Sequence, residues 1–319
     1  MREITFYDFN LDLPVEKRWG PIIDAYDDYL PRLRDQLILI LGQFGFATNI
    51  IKPIYQLTSE DNIMYYDEIC YIAGRIGLDP YEVLLMQLIY ETSSACTAAV
   101  LKVGSKDFFF RTMDWPMMFL KDITIGLNIR KAGQLIGKVT TWLGYLGFLT
   151  ATNTIDNYTL TINYRRTKEI SIGTLVKNLY SAVSMKWPIG YLVRYVIENS
   201  INKTDALDSL TKAELISPCY ITMYVPNGET SIITRDCDKT VDIRTSELVQ
   251  TNCDWNRTEP NILWSIERVS AIKNVQDVLD RSQNPSSKKI LKLLLKHPVL
   301  NEETIYVHFQ YGNEYRTLV

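Results

Sequence analysis

The chain has 319 residues, 46% of them hydrophobic and 22% charged, with a formal net charge of −3. That balance describes a globular protein with a sizeable core, excludes a disordered chain, and argues against nucleic acid as a partner. Five cysteines (Cys70, Cys96, Cys219, Cys237, Cys253), odd in number and without a CxxC pair, argue against a disulfide framework and against a zinc site.

From Pro21 to about Glu91 the periodicity is helical. Ile22, Tyr26, Tyr29, Leu33, Leu37, Leu41 and Phe44 recur at three- and four-residue steps, and further helices are predicted over 63–76 and 80–90. From Cys96 onward the pattern becomes β, with strands predicted at 96–103, 107–115, 123–131, 134–142, 148–154 and 158–166. Helices follow at 171–183, 187–200 and 204–214. Strands return at 219–226, 230–236, 240–246 and 247–253, with Asn227-Gly228 as a hairpin turn signal. Helices at 264–281 and 287–296 and strands at 304–311 and 314–319 close the chain. Blocks of strands alternating with blocks of helices indicate an α+β layered fold.

The opening MREITFYDFN has no apolar signal core, and no run approaches the ~18 apolar residues of a membrane span. The expectation is a protein made without a conventional secretory signal, cytoplasmic or exported by a non-classical route. Two apolar stretches, 37–46 and 185–197, read first as core, with peripheral membrane contact as the alternative. The basic stretch 288–296 likewise reads first as an ordinary surface helix rather than a membrane-surface one. Residues 1–95 hold 7 basic against 15 acidic side chains, and residues 96–319 hold 27 against 22. Opposite net charges favour association of the two parts.

The chemistry concentrates in ETSSACTAAVLKVGSKDFFFRTMDW at 91–115. A turn signal at 104–107 between two β-prone runs makes a hairpin that brings Arg111 and Asp114 back beside Cys96. A thiol, a guanidinium and a carboxylate together support nucleophilic catalysis, because a cation stabilises the attacking thiolate. The only histidines are His297 and His308. A different base exists if the bond before Cys96 is cut: the α-amine of Cys96 itself, with an ordinary pKa of about 7.7–8.0. The bland alternative is a buried structural cysteine with a cross-strand ion pair.

These residues carry a resemblance. The stretch resembles the cysteine-type N-terminal-nucleophile (Ntn) hydrolases of the acid ceramidase and N-acylethanolamine acid amidase group, which are related to bile salt hydrolases. Cys96-Thr97 matches the mature start of that family's catalytic chain, and Arg111-x-x-Asp114 matches its Arg-Asn-Met/Leu-Asp signature. Further similarity runs in order through GYLGFLT at 144–150, LTINYRR at 160–166, IITRD at 232–236, VQTNCDW at 249–255, Glu267-Arg268 and HPVLNEETIY at 297–306. The resemblance implies a four-layer αββα sandwich preceded by a helical N-terminal segment. Residues 1–95 would be an α-subunit or pro-segment and 96–319 the catalytic β-subunit, cleaved at Ala95–Cys96 into an α/β heterodimer.

By the same resemblance Asp114 holds the freed amine and Arg111 sits against the thiol. Asn252 is the oxyanion-hole asparagine, and Arg268 lies near the nucleophile. No metal or organic cofactor is implied. The implied activity is self-processing amide hydrolysis of an N-acyl lipid, of ceramide or N-acylethanolamine type. The rival readings are an uncleaved lipid-binding protein that keeps the fold, and an acyltransferase of the same chemistry. One departure stands out: Tyr164 occupies the place of a family glutamate that takes part in acid-triggered cleavage. A tyrosine does not titrate between pH 4 and 6, having a pKa near 10, so a near-neutral optimum is expected.

Overall fold

Strands such as 158–164 and 304–311 alternate polar and apolar residues, yet both parities are buried along most strands, so both faces of each sheet must be covered. The computed structural model describes residues 1–43, 52–89, 94–165, 186–256 and 261–319, and it supplies that cover with a second sheet on one face and helices on the other.

The strands, in chain order, are β1 (Phe6–Asn10), β2 (Ala95–Val103), β3 (Lys106–Asp114), β4 (Thr124–Lys131), β5 (Gln134–Trp142), β6 (Thr150–Asn153) and β7 (Tyr158–Tyr164). They continue with β8 (Cys219–Tyr224), β9 (Ser231–Arg235), β10 (Thr240–Arg244), β11 (Val249–Gln250), β12 (Thr304–Tyr311) and β13 (Glu314–Leu318). One sheet runs β1-β4-β5-β6-β7-β8-β9-β10, the other β11-β2-β3-β12-β13. Every pairing is antiparallel except β1 with β4.

The helices include α1 (Val15–Asp24), α2 (Leu30–Gln43), α3 (Tyr66–Ile76), α4 (Pro80–Ile89), α5 (Ile189–Asn199), α6 (Lys203–Lys212), α7 (Ser265–Asp280) and α8 (Ser287–Leu294). Helix α5 covers the outer face of β5–β7, and α7 covers β2 with α8 packed beside it. The result is the αββα sandwich of an α+β fold.

The two sheets meet through a polar layer. Thr140 bonds Thr317 at 2.8 Å, Thr150 bonds Tyr306 at 3.0 Å, and Gln310 donates to Thr152 and Thr159 at 3.1 and 2.8 Å. The alternate positions face the helices: Leu160 and Ile162 join the core that holds Val193 and Val196 of α5, while Val307 and Phe309 join Ile272, Ile290 and Leu294. Period-two alternation therefore sorts β7 and β12 into a hydrogen-bonding face and an apolar face.

The predicted strands 96–103 through 158–166 all appear, within a few residues of the expected ends. The N-terminal part is less purely helical than its periodicity suggests, because β1 is a strand of the larger sheet, paired in parallel with β4. Helix α1 starts at Val15, ahead of the predicted start, and carries Pro21 within it. Residues 1–89 share one apolar core with the rest of the chain, running from Phe9, Trp19 and Ile72 to Cys96, Leu127 and Val193. The predicted helix at 171–183 lies outside the described residues. Of the stretch 185–197, residue 185 lies outside the described residues, and α5 is buried along most of its length, as a core helix is. Helix α8 buries Ile290 and Leu294 and leaves its lysines exposed, as an ordinary surface helix does. Among the described residues no helix is long and apolar enough to cross a membrane, and no three His, Cys, Asp or Glu side chains group to hold a metal ion.

Candidate active site

Parity and pairing decide where the site falls. Cys96 pairs with Met113 and Ala98 with Arg111, so the Cys96 thiol, Met113 and Arg111 share the face of β2–β3 that looks toward the other sheet. Thr97 and Asp114 lie on the opposite face, under α7. The sequence places Arg111 and Asp114 in one volume with the thiol; the structure puts them on the two sides of the sheet, since residues three apart on a strand point opposite ways.

On the inter-sheet side, Arg111 Nη2 is 3.5 Å from Cys96 Sγ, and Met113 Sδ is 3.3 Å from the same sulfur. On the helix side, Arg268 Nη1 donates to the Cys96 carbonyl at 2.7 Å and to Thr97 Oγ1 at 2.8 Å, and lies 3.4 Å from Asp114 Oδ2. Arg268 Nη2 donates to Asn252 Oδ1 at 3.0 Å. The same Asn252 oxygen accepts the Cys96 backbone N–H at 2.8 Å. All five residues singled out in the sequence, Cys96, Arg111, Asp114, Asn252 and Arg268, thus form one contiguous, fully buried cluster.

Asn252 explains why the predicted strand 247–253 shrinks to Val249–Gln250. Its Oδ1 takes the Cys96 N–H while its Nδ2 donates to the Ser94 carbonyl at 3.2 Å and to the Tyr164 carbonyl at 2.8 Å. A side-chain amide continues along β2 the pairing that main chain would otherwise make. The turn carrying it is clamped from behind: Arg165 makes a bidentate pair with Asp254 at 2.8 and 3.0 Å and a second bond to Asp236 at 2.6 Å, and Tyr220 donates to Asp254 at 2.7 Å.

Electrostatics follow from burial. Burial pushes the Asp114 carboxyl up to about 6, against the opposing pull of Arg268 and of hydroxyl bonds from Thr304 and Thr112. Burial also lowers the Arg268 guanidinium from its ordinary value, with Asp114 opposing. For this pair, loss of water outweighs mutual attraction at 3.4 Å. His308 pairs with Arg111 across β12–β3 and is fully buried; burial, then the Arg111 charge, drives its ring down to about 3. A histidine held neutral and hydrogen-bonded to Thr317 at 2.9 Å is part of the polar layer rather than a base for Cys96.

Three contacts at the site were not singled out from sequence. Tyr306 bonds Arg111 Nε at 3.1 Å, Thr304 bonds Asp114 at 2.7 Å, and Asn163 Nδ2 donates to the Cys96 carbonyl at 3.2 Å. A register shift between Thr304 and Tyr306 lets the first reach the helix side of the sheet and the second the inter-sheet side.

No family model matches the chain. It is 44% identical over 323 residues to an uncharacterized protein of Acanthamoeba polyphaga mimivirus, spanning 100% of both chains. It is 24% identical to rat acid ceramidase, over 95% of this chain and 82% of that one. It is also 24% identical to an N-acylethanolamine-hydrolyzing acid amidase of Caenorhabditis elegans, over 96% and 88%. Over nearly its whole length the chain is a homologue of acid ceramidase and N-acylethanolamine-hydrolyzing acid amidase. A solved structure of the Caenorhabditis elegans amidase ortholog superposes with a TM-score of 0.56 at 22% identity, covering 67% of this chain and 92% of that one, so the two share the Ntn-hydrolase fold. Relationship to hydrolases that act on amides agrees with a cluster in which a thiol, a cation and amide donors converge.

Proposed function

We propose that the protein is a self-processing cysteine amidohydrolase that cleaves N-acylated lipids, of ceramide or N-acylethanolamine type, into a fatty acid and an amine. The observation that carries this reading is the setting of Cys96: its thiol faces a buried guanidinium, and its backbone nitrogen, the future α-amine, is held by Asn252. In the first step Sγ attacks the Ala95 carbonyl carbon. The Ala95–Cys96 C–N bond breaks, the nitrogen takes a proton, and a thioester forms. Water hydrolyses the thioester to the Ala95 carboxylate and a free thiol.

The cut leaves an α/β heterodimer, separates Ser94 from Cys96, and gives the thiol an amine as its own base. Asn252 Nδ2, bonded to the Ser94 carbonyl in the continuous chain, then becomes a donor for the oxyanion of a substrate amide. The substrate acyl group passes to Sγ, the amine leaves with a proton, and water releases the fatty acid. Nucleophile, base and oxyanion donors are all protein groups.

An apolar pocket lined by Leu33, Leu37, Ile72, Met86, Trp115 and Trp142, with a cavity volume of about 60 Å³, is where the start of an acyl chain would enter, and Trp115 directly follows Asp114. Ile38 and Leu39 of α2 and Leu57 are exposed on the N-terminal helical part and are proposed to contact the membrane that supplies the lipid. A near-neutral optimum fits Tyr164 and an Asp114 that ionises around 6.

The test is release of fatty acid from ceramides and N-acylethanolamines presented in mixed micelles. Turnover with a trappable acyl adduct on Cys96, and none in Cys96→Ala, is the expected result. Lipid binding without turnover by a processed chain would favour the lipid-binding reading instead.

A further inference from the structure

We propose that Tyr306 is a positioning residue that sets the Arg111 guanidinium against the Cys96 thiol; the inference deepens the cysteine mechanism above and rests on it for its catalytic consequence. Fully buried Arg111 directs its nitrogens at three different strands. Nε donates to the Tyr306 hydroxyl on β12 at 3.1 Å, and Nη1 to the Ile162 carbonyl on β7 at 2.7 Å. Nη2 faces Cys96 Sγ on β2 at 3.5 Å, with Met113 Sδ at 3.7 Å. Two hydrogen bonds fix the plane of a rigid fork, and the third nitrogen is thereby aimed at sulfur. The Ile162 end of this clamp is main chain. The Tyr306 end is a single side-chain oxygen.

One direction in this chain is fixed: arginine Nε can only donate, so the Tyr306 oxygen accepts from Arg111. The same hydroxyl bonds Thr150 Oγ1, 3.0 Å away on β6 of the facing sheet, where either oxygen can be the donor. Thr150, Tyr306, Arg111 and Cys96 therefore form a path from one sheet to the other. Burial raises the Tyr306 hydroxyl above its ordinary pKa and keeps it neutral. A neutral acceptor orients the cation without neutralising it, so the positive charge stays available to a thiolate; a carboxylate in the same place would compete for it.

Tyr306→Phe removes this oxygen and keeps the ring. The readout is thiolate ultraviolet absorbance across pH, taken as the difference between each protein and its Cys96→Ala counterpart. It needs no probe to enter the buried site and no prior cut. At neutral pH the thiolate fraction is expected to fall about tenfold, as for a one-unit change in acidity. In the processed enzyme kcat should fall about 10–100-fold at nearly constant KM, the pattern expected when an oriented charge rather than a binding contact is lost. Thr150→Val should move both readouts the same way by less.

A purely structural role would lower the melting temperature and leave the thiolate titration in place, and that result overturns the proposal. Should Tyr306→Phe fail to fold, Thr150→Val decides: a shifted titration supports the proposal and an unshifted one overturns it. A wild-type protein without amidase activity whose thiolate titration still depends on Tyr306 would sink the proposed function while leaving this positioning role standing.

Discussion

Asp114 sits on the helix side of β3 with its carboxyl bonded to Thr304 and Thr112 and facing Arg268, and burial raises it to about 6. If the ionised form holds the Cys96 amine after the cut, the turnover rate should climb with pH through about 6. A pH–rate profile checks this, and Asp114→Asn should flatten the rising limb while lowering its plateau. The stability consequence has the opposite sign. A carboxyl raised in the fold favours the folded state while protonated, so stability is full below about pH 4 and declines as pH rises through 6. Denaturation of wild type at pH 4 and pH 8 should differ by on the order of 3 kcal/mol from this group, and the difference should shrink in Asp114→Asn. Cys96, Arg111 and Asp114 were legible in the sequence because a turn signal between two β runs brings their strands together. Thr304 and Tyr306 were not, because threonine and tyrosine are ordinary strand residues and the register shift between them leaves no mark in composition.

At the scale of elements, the turn after β11 carries Asn252 and depends on one arginine. Arg165 ties β7 to Asp254 and Asp236, so three stretches of the family resemblance, 160–166, 232–236 and 249–255, meet in a single ion network. Arg165→Gln should leave the sheet intact and loosen the Asn252 amide, with kcat down about 10–100-fold and circular dichroism unchanged. Asn252→Ala, which removes the proposed oxyanion donor, should cost about 10²–10³ in kcat. Strand positions could be read from period-two alternation because both faces of the sandwich are packed. Sorting those faces into polar and apolar was legible too, as in Tyr158-Thr-Leu-Thr-Ile-Asn-Tyr164. The end of β11 was not, because a side-chain amide there substitutes for backbone pairing, and nothing in Thr-Asn-Cys-Asp distinguishes that from further strand.

Across the whole molecule, the parts before and after Cys96 are joined by a buried charge network as well as by a shared core. Glu68 of α3 accepts from Arg194 of α5 at 2.7 and 2.9 Å, from Trp19 Nε1 at 2.6 Å and from Arg18 at 2.9 Å. Burial alone would raise Glu68, but the Arg194 charge and these hydrogen bonds hold it below the usual carboxylate range. Its contribution is therefore present above about pH 4.5 and is lost as pH falls through the lowered value. Glu68→Gln removes one of the two carboxylates paired with buried Arg194, the other being Glu198 at 2.7 Å, and should cost about 1–3 kcal/mol in chemical denaturation. In a processed protein it should also let the two fragments separate on size exclusion in mild denaturant, where wild-type fragments co-elute. The opposite net charges of the two parts were visible in composition, but the specific link was not, since Glu68 and Arg194 lie 126 positions apart.

Cys96 is proposed to become an N-terminal nucleophile by cutting its own chain. Intact mass and N-terminal sequencing of the purified protein, after incubation at pH 5 and at pH 7.5, test it most directly. A fragment beginning Cys-Thr-Ala-Ala is expected, forming faster at the higher pH and absent in Cys96→Ala. A wild-type chain that stays whole under both conditions would leave Cys96 without its amine and contradict the account.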